Sequence, residues 1–235
     1  MRLLYLQNED QTFWPQTVTQ LFLDSHFEVD IFKAYENEFP EKLDAYHCIF
    51  LSGSVLSAYD QEEWIIKEEQ LIRQAAEMGI PMLGACFGSQ ILALALCGKD
   101  QVFRRCDCEI GYTWIHLNHS SPDDPMLAGM GDKVRMFVWH NDEVKADHED
   151  MRILGYSDNC PNQIWRFKDK PIWGIQGHPE LNREDAQRTF EHYRKLFERD
   201  GADVDELIRN AEDNSEVINL YRNFIRYCRD INGKD

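Results

Sequence analysis

Residues 80–98, IPMLGACFGSQILALALCG, place one cysteine, Cys86, between two apolar runs. The first run is short and suits a buried strand, while the second has the length and composition of a helix that stops at Gly98. Gly84 and Gly88, on either side of the cysteine, let the backbone crowd together without Cβ clashes. The segment therefore predicts a strand, a sharp turn and a helix, with Cys86 at the turn.

Strands and helices alternate before this segment. Apolar or alternating runs predict strands at residues 2–6, 27–32 and 46–53. Helical spacing predicts helices over residues 15–25 and 60–79, the second opened by Asp60 in a capping box. Strand and helix in this order form βαβ units, which build a mostly parallel open sheet with helices on both faces. We therefore expect an α/β fold.

The rest of the chain follows two other patterns. Residues 102–139 contain short alternating runs, which predict antiparallel strands at the edge of the sheet. After Glu180 the spacing is helical, with Asn182 and Ser215 as candidate N-caps. We expect one domain over residues 1–199 and a helical C-terminal extension, residues 200–235, that packs on it. The same apolar positions would also suit a partner surface or a homo-oligomer interface.

Composition excludes several classes of function. The chain has 25 Lys and Arg against 42 Asp and Glu, a formal charge of −17, so we expect no nucleic-acid partner and no membrane surface. Seven cysteines without an N-terminal signal pattern indicate free thiols and a cytoplasmic location. Neither the CDC run at 106–108 nor the HLNH run at 116–119 has partners at metal-binding spacing, so no metal and no cofactor is expected.

Cys86 has the setting of a nucleophile. A strand-to-helix turn exposes the sulfur at the carboxyl end of the sheet, and the N-terminus of the next helix favours a thiolate. A thiol nucleophile needs a base, and His178 follows the apolar run PIWGIQ at the end of another predicted strand. Glu180 lies two residues further on and can orient the imidazole. The residues themselves therefore indicate a Cys86–His178–Glu180 triad, with a buried thiol and a surface turn as the alternatives.

These two motifs resemble those of the class I glutamine amidotransferases, which carry G-x-C-x-G-x-Q at the elbow and H-P-E near the end of the sheet. The resemblance covers about residues 1–195, and the stretches at 53–60 and 139–144 are similar to the amidotransferase domain of GMP synthase. It implies a flavodoxin-like sheet. It also implies hydrolysis of the glutamine side-chain amide through a thioester on Cys86, with His178 as base and then acid and Glu180 as its orienter.

The same resemblance implies further roles. Backbone N–H groups of Phe87 and of the loop at Gly53 and Ser54 would form the oxyanion hole. Gln90 would help to hold the substrate. Gly111 and Tyr112 fall where the family supplies backbone contacts to the amino-acid end of the substrate.

The sequence departs from the family pattern at a few positions. Phe87 stands where leucine is common, Ser89 where histidine is common, and the oxyanion loop reads Ser52-Gly53-Ser54. These differences concern the shape of the glutamine pocket and remove no catalytic group. His140 and Asp142 form an H-x-D motif that we interpret as structural or as part of an interface.

Three hypotheses follow. The first is a stand-alone glutamine amidotransferase that acts on L-glutamine and passes ammonia to a synthetase or acceptor subunit on another chain, since no P-loop is present. The second keeps the triad but takes larger γ-glutamyl compounds, as a γ-glutamyl peptidase or hydrolase. The third is a non-catalytic relative with a binding or regulatory role.

Overall fold

The computed structural model describes residues 1–118 and 124–233, so His119 of the HLNH run lies outside the described residues. The strands are β1 (Arg2–Gln7), β2 (Glu28–Lys33), β3 (Cys48–Leu51), β4 (Met82–Ala85), β5 (Val102–Leu117), β6 (Lys133–Val144), β7 (Met151–Tyr156), β8 (Ile164–Phe167) and β9 (Ile172–Ile175). The helices are α1 (Thr17–Asp24), α2 (Glu63–Met78), α3 (Phe87–Cys97), α4 (Arg183–His192), α5 (Arg194–Arg199), α6 (Val204–Arg209) and α7 (Asn219–Asn232).

The nine strands of the described residues form one sheet in the order β2-β1-β3-β4-β9-β8-β7-β5-β6. The first five strands in that order run parallel, and the remaining four are antiparallel. Strand β4 lies between β3 and β9, and Ala85 at its end pairs with Ile175 at the end of β9. The predicted α/β fold is confirmed, and the sheet brings Cys86 and His178 to the carboxyl ends of two neighbouring strands.

The antiparallel part differs from the prediction in one respect. Residues 102–117 form a single strand, β5, where we expected two short runs. Its pairing with β6 shifts between Arg104 and Glu109, which marks a β-bulge. The polar residues that interrupt the alternating pattern lie in this bulge, and the strand continues on both sides of it.

The ends of the helices test the predicted caps. Asn182 caps α4 as predicted, since its side-chain oxygen accepts a hydrogen bond from the Asp185 N–H at 2.9 Å. Helix α2 instead begins after Glu62, and the Asp60 carboxylate accepts from the Ser57 N–H in the preceding turn. Helix α7 begins only at Asn219, so the predicted cap at Ser215 is wrong.

The core has three parts. One cluster covers one face of the sheet and contains side chains of α7, among them Tyr221 and Phe224. A second covers the other face around α2 and α3. A third, with Phe137, Phe190 and Phe197, joins β6 to α4 and α5. Residues of the C-terminal extension are therefore buried with the sheet, while the boundary at residue 199 stays a prediction.

None of the described helices is long and apolar enough to cross a membrane. All seven cysteines are free thiols.

Candidate active site

Cys86 occupies a strained turn between β4 and α3. Its φ of 52° and ψ of −112° lie outside the regions that residues with a Cβ normally adopt. The turn is anchored because the Cys86 N–H donates to the Ile175 carbonyl at 2.8 Å and α3 begins at the next residue. Strain of this kind persists only where the surroundings enforce it, and such positions cluster at functional sites. The geometry matches the predicted elbow.

The flanking glycines are required by close backbone contacts. A Cβ on Gly84 would lie 2.3 Å from the backbone of Gly88, and one on Gly88 would lie 2.2 Å from the Leu51 carbonyl oxygen. These separations are far below a van der Waals contact. Glycine at both positions therefore lets α3 start directly against β3 and β4.

His178 follows β9 and faces the elbow. Its N–H donates to the Phe137 carbonyl at 2.8 Å, which fixes the segment against β6. The ring pairs with the Glu180 carboxylate, with 2.8 Å between Nδ1 and Oε1. Nε2 is buried and makes no hydrogen bond of normal geometry to any described residue. It is therefore the nitrogen that is free to exchange a proton with Cys86.

Glu180 is buried and receives donors from distant parts of the chain. Trp14 donates its indole N–H to Oε1 at 3.0 Å, and Tyr221 donates its hydroxyl to Oε2 at 2.8 Å. The Trp14 ring also meets the His178 ring, with 5.0 Å between centroids. Sequence reasoning missed both donors, because no local pattern links residues so far apart in the chain.

The pKa values of the pair follow from burial and charge. Burial lowers the pKa of His178, but the Glu180 charge and the neighbouring Cys86 thiol outweigh it and raise the pKa to about 10. Burial raises the pKa of Glu180, but the His178 charge and hydrogen bonds from His178 and Tyr221 hold it below its usual value. The pair thus favours an imidazolium beside a carboxylate.

The residues predicted to form the oxyanion hole lie next to Cys86. Phe87 is the first residue of α3, where backbone N–H groups have no partner within the helix. A Cβ on Gly53 would lie 3.5 Å from Cys86 Cβ and 3.6 Å from His178 Cε1, so this loop borders the site directly. Glu9 supports the loop, since its carboxylate accepts from the Ser54 hydroxyl and the Val55 N–H, each at 3.4 Å.

The side chains of the two unusual elbow residues point away from the site. Phe87 is fully buried and packs against Trp64, with 5.4 Å between ring centroids. Ser89 is buried and accepts a hydrogen bond from the Trp165 indole. Neither side chain lines the pocket beside Cys86. Their departure from the family pattern therefore alters the packing beneath the elbow and not the pocket wall.

Gln90 does line that pocket. Its amide nitrogen donates to the Asp142 carbonyl oxygen at 3.0 Å and to Gln176 Oε1 at 3.3 Å. These two bonds fix the orientation of the side-chain amide. Its place beside Cys86 is compatible with the predicted contact to substrate.

Gly111 and Tyr112 do not line the pocket in this structure. Tyr112 packs against Phe137 on the outer part of β5, with 5.5 Å between ring centroids, and Gly111 faces Leu207. Their placement does not support the predicted contact to the amino-acid end of the substrate, which remains a prediction. Both residues lie beyond the bulge in β5, where they pair with Val138 and Phe137 of β6.

The H-x-D motif connects strands and loops. His140 is buried with Nε2 2.8 Å from Glu109 Oε2 and Nδ1 2.9 Å from the Asp142 carbonyl oxygen. The Asp142 carboxylate accepts the hydroxyls of Ser57 and Tyr59 at 2.5 Å and 2.9 Å. These bonds are consistent with the structural interpretation of the motif.

A pocket of about 330 Å³ opens beside Cys86. Its wall includes residues that sequence reasoning did not select, namely Trp14, Trp139, Tyr193, Leu196, Arg199 and Asp200. Trp139 makes two hydrogen bonds in this wall. Its carbonyl accepts from the Cys86 thiol at 3.6 Å, and its indole donates to Asp200 at 2.9 Å. Asp200 follows the end of α5, so this helix and the residue after it help to shape the pocket.

One group of potential metal ligands occurs among the described residues. The ligand atoms of Glu109, His140 and Cys160 lie within 4.8 Å of one another. Both His140 nitrogens already face protein oxygens, and the Cys160 thiol is directed at the Asn162 carbonyl oxygen at 3.5 Å. The group therefore fits a buried hydrogen-bond network.

An open α/β sheet with a strained cysteine after a central strand defines the nucleophile-elbow class of site. Residues 11–195 match the family described as glutamine amidotransferase class-I. A solved glutamine amidotransferase from Thermotoga maritima shares the fold with a TM-score of 0.83, at 25% identity over 97% of both chains. The chain therefore belongs to the class I glutamine amidotransferase family.

Two curated relatives differ in their stated activities. Gamma-glutamyl peptidase 2 of Arabidopsis thaliana is 30% identical over 178 residues, which cover 74% of this chain and 71% of the relative. A glutamine-hydrolysing GMP synthase of Porphyromonas gingivalis is 32% identical over 146 residues, which cover 62% of this chain and 27% of the relative. This chain thus matches about a quarter of the length of that GMP synthase.

Proposed function

We propose that this protein hydrolyses the side-chain amide of glutamine through a γ-glutamyl thioester on Cys86. One observation carries the proposal. The strained Cys86 and the buried His178–Glu180 pair meet at the wall of a single pocket, with His178 Nε2 left free of other partners. A nucleophile, a base and an orienter in this order are the set that acyl transfer requires.

The reaction follows from this arrangement. The Cys86 proton passes to His178 Nε2 before the attack, and the sulfur then attacks the amide carbon as a thiolate beside the imidazolium. The C–N bond then breaks, and His178 gives that proton to the nitrogen, which leaves as ammonia. A water molecule attacks the thioester and gives a proton to His178. The C–S bond breaks, the thiolate takes the proton back, and glutamate is released.

The attack places negative charge on the amide oxygen of the substrate, and this charge is stabilised by hydrogen-bond donors that are already in position. We assign this role to the Phe87 N–H at the start of α3 and to the loop at Gly53, because both lie next to Cys86. A preorganised donor of this kind is worth about 3 kcal/mol of transition-state stabilisation. The raised pKa of His178 supports the scheme, because the imidazole then holds the proton until the leaving nitrogen takes it.

Larger γ-glutamyl amides are the second candidate substrates, and the apolar outer wall of the pocket favours them. At about 330 Å³ the pocket lies in the range of pockets for small-molecule ligands, about 300–1,000 Å³. Exposed apolar side chains, Val55 and Leu56, extend its wall outward from the oxyanion loop. An amine larger than ammonia would lie along this wall, as in a γ-glutamyl peptidase.

Side-by-side hydrolysis of glutamine and a γ-glutamyl dipeptide by the purified protein separates the two candidates. We expect release of glutamate from glutamine, with Cys86→Ala as the inactive control. A strong preference for the dipeptide would establish the second candidate, and no turnover of either substrate would contradict both. Labelling of Cys86 by a glutamine-mimicking diazo-ketone tests the non-catalytic alternative directly.

Transfer of the ammonia to a synthetase or acceptor subunit on another chain is part of the first candidate. The similarity to a GMP synthase covers 27% of that longer protein, and the rest of it is not matched by this chain. Copurification of a synthetase with the tagged protein, and a rise in glutamine hydrolysis when it is added, would support such a partner.

A further inference from the structure

The segment from His178 to Glu180 is held in place by residues that follow the family region. The family match ends at residue 195, whereas Tyr221 belongs to α7 and Asn214 to the irregular segment before it. Tyr221 donates its hydroxyl to Glu180 Oε2 at 2.8 Å. Asn214 donates its side-chain amide to the Pro179 carbonyl oxygen, also at 2.8 Å. Both donor residues lie outside the motifs that define the site.

We propose that Tyr221 is a positioning residue that acts through Glu180, so that α7 belongs to the catalytic apparatus. The inference rests on the hydrolysis proposed above. It assigns a role in turnover to the C-terminal extension, which the sequence describes only as an apolar helix.

The hydrogen bonds of Glu180 give the first argument. Oε1 receives the His178 ring and the Trp14 indole, and Tyr221 is the donor that the described residues supply to Oε2. A buried carboxylate oxygen without a donor is costly, and hydrogen bonds to charged groups are the stronger ones. Loss of the hydroxyl would remove the side-chain donor to Oε2 and weaken the constraint that keeps the carboxylate oriented toward the imidazole.

The rigidity of Tyr221 gives the second argument. The side chain is buried, and its ring meets Phe50 of β3 edge-on with 5.6 Å between centroids. Two residues further along α7, Asn223 donates to the carbonyl oxygens of Met126 and Ala128 at 2.9 Å and 3.0 Å. The helix is thus fixed to the domain, and the hydroxyl is presented in one position.

The protonation of Tyr221 gives the third argument. Burial, and then the Glu180 charge, raise the pKa of the phenol well above its ordinary value, so the hydroxyl keeps its proton and donates it. Among the described residues, the other titratable groups that act on Glu180 or Tyr221 are His178, Cys86 and Tyr5 of β1. Removal of the Tyr221 donor should raise the pKa of Glu180, because that bond lowers it in the intact protein.

Tyr221→Phe tests the proposal, with Tyr227→Phe as the matched control. Tyr227 lies on the same helix, is half-buried and packs its ring against Trp173, away from Glu180. We expect Tyr221→Phe to lower kcat about 10- to 100-fold with little change in KM, and Tyr227→Phe to leave both unchanged.

A substrate-free readout separates this proposal from the proposed function. Alkylation of Cys86 by iodoacetamide, followed by mass spectrometry of its peptide across pH, reports the triad whether or not glutamine is turned over. In Tyr221→Phe the fall in rate on acidification should begin at higher pH, because Glu180 protonates earlier and no longer supports the imidazolium. In a Glu180→Gln background, Tyr221→Phe should alter this profile less than about threefold at any pH.

Equal alkylation profiles for Tyr221→Phe, Tyr227→Phe and the wild type would overturn the proposal, as would an undiminished effect in the Glu180→Gln background. If Tyr221→Phe does not fold, 3-fluorotyrosine at position 221 keeps the ring and strengthens the donor. The acid limb should then move to lower pH, and an unchanged limb would overturn the proposal equally.

Discussion

Trp165 Nε1 donates a hydrogen bond of 2.8 Å to Ser89 Oγ beneath the nucleophile elbow. Both side chains are buried, and Gly174 leaves the space in which they meet, since a Cβ there would lie 2.2 Å from the indole nitrogen. Ser89 is therefore part of the support between α3 and the sheet. Its difference from the family pattern is matched by a tryptophan on β8 that needs an acceptor.

Ser89→Ala should lower stability without changing the pocket. The substitution leaves the Trp165 N–H buried without its acceptor, which costs about 1–3 kcal/mol. Urea unfolding should show this loss, while KM for the substrate that is turned over should stay within about twofold, since Ser89 does not line the pocket. The exposed Ser215→Ala is the control and should change the free energy of unfolding by less than about 0.5 kcal/mol. A raised KM in Ser89→Ala would show that the elbow packing shapes the pocket.

Much of this arrangement can be predicted from the sequence, because local patterns encode it. Cys86 and His178 each follow an apolar run, and parallel strands that are neighbours in a sheet bring such ends together. Trp14 and Tyr221 could not be found in this way, because their contacts to Glu180 depend on packing between segments far apart in the chain.

The course of β5 shows the same limit. Its bulge depends on pairing with β6, so the polar residues between Arg104 and Glu109 gave a false break in the strand. The strand-to-helix turn at Cys86 could be predicted from local sequence, whereas the position of Gly111 relative to the pocket could not. Local sequence determines where a strand can run, but the partner strand determines how it bends.

Glu180→Gln should lower the pKa of His178. Burial lowers the pKa of the imidazole, and the Glu180 charge is the largest of the effects that raise it to about 10, ahead of Cys86. Without that charge, burial is opposed mainly by Cys86, and the pKa should fall well below 10. NMR titration of the His178 ring should show the fall. His26→Gln, a substitution at a distant histidine, is the control and should leave the His178 titration unchanged. A pKa that stays near 10 would contradict the assignment of Glu180 as the stabilising charge.

The same variant should lower turnover less than His178→Ala does. Glu180→Gln removes orientation and charge, whereas His178→Ala removes the group that carries the proton. Single-turnover rates on the substrate that is hydrolysed compare the two. Equal losses would mean that Glu180 does more than orient and stabilise the imidazole.

Cys86→Gly and Cys86→Ala should both be inactive but differ in stability. Alanine keeps a Cβ at a φ of 52°, where the strain costs about 1–3 kcal/mol, and glycine removes it. Glycine also increases the entropy of the unfolded chain. This lowers stability by about 0.4–1 kcal/mol relative to alanine, which is the smaller effect. Cys86→Gly should therefore be at least as stable as Cys86→Ala in urea unfolding. A clearly less stable glycine variant would mean that the turn relaxes without strain.

Glu68→Gln should become more stabilising as pH rises. The Glu68 carboxyl is fully buried on α2, next to the oxyanion loop, and its one hydrogen bond among the described residues comes from Asn8, at 3.1 Å. Asn8 in turn binds Ser52 through its N–H at 2.9 Å and its side-chain amide at 3.0 Å. Burial raises the pKa of Glu68 from 4.5 to about 8, so the folded protein holds a proton that the unfolded chain releases.

The sign of the effect follows from that difference in bound protons. Between about pH 4.5 and 8 the wild type loses stability as pH rises, by about 1.4 kcal/mol for each pH unit, and above pH 8 the loss levels off. Glutamine at this position has nothing to titrate, so the stability of Glu68→Gln relative to the wild type should grow across that window. Glu77→Gln, exposed on the same helix, should show no such growth in urea unfolding. A constant difference between Glu68→Gln and the wild type would mean that Glu68 is ionised in the folded protein and that the Asn8–Ser52 network supports a charge behind the oxyanion loop.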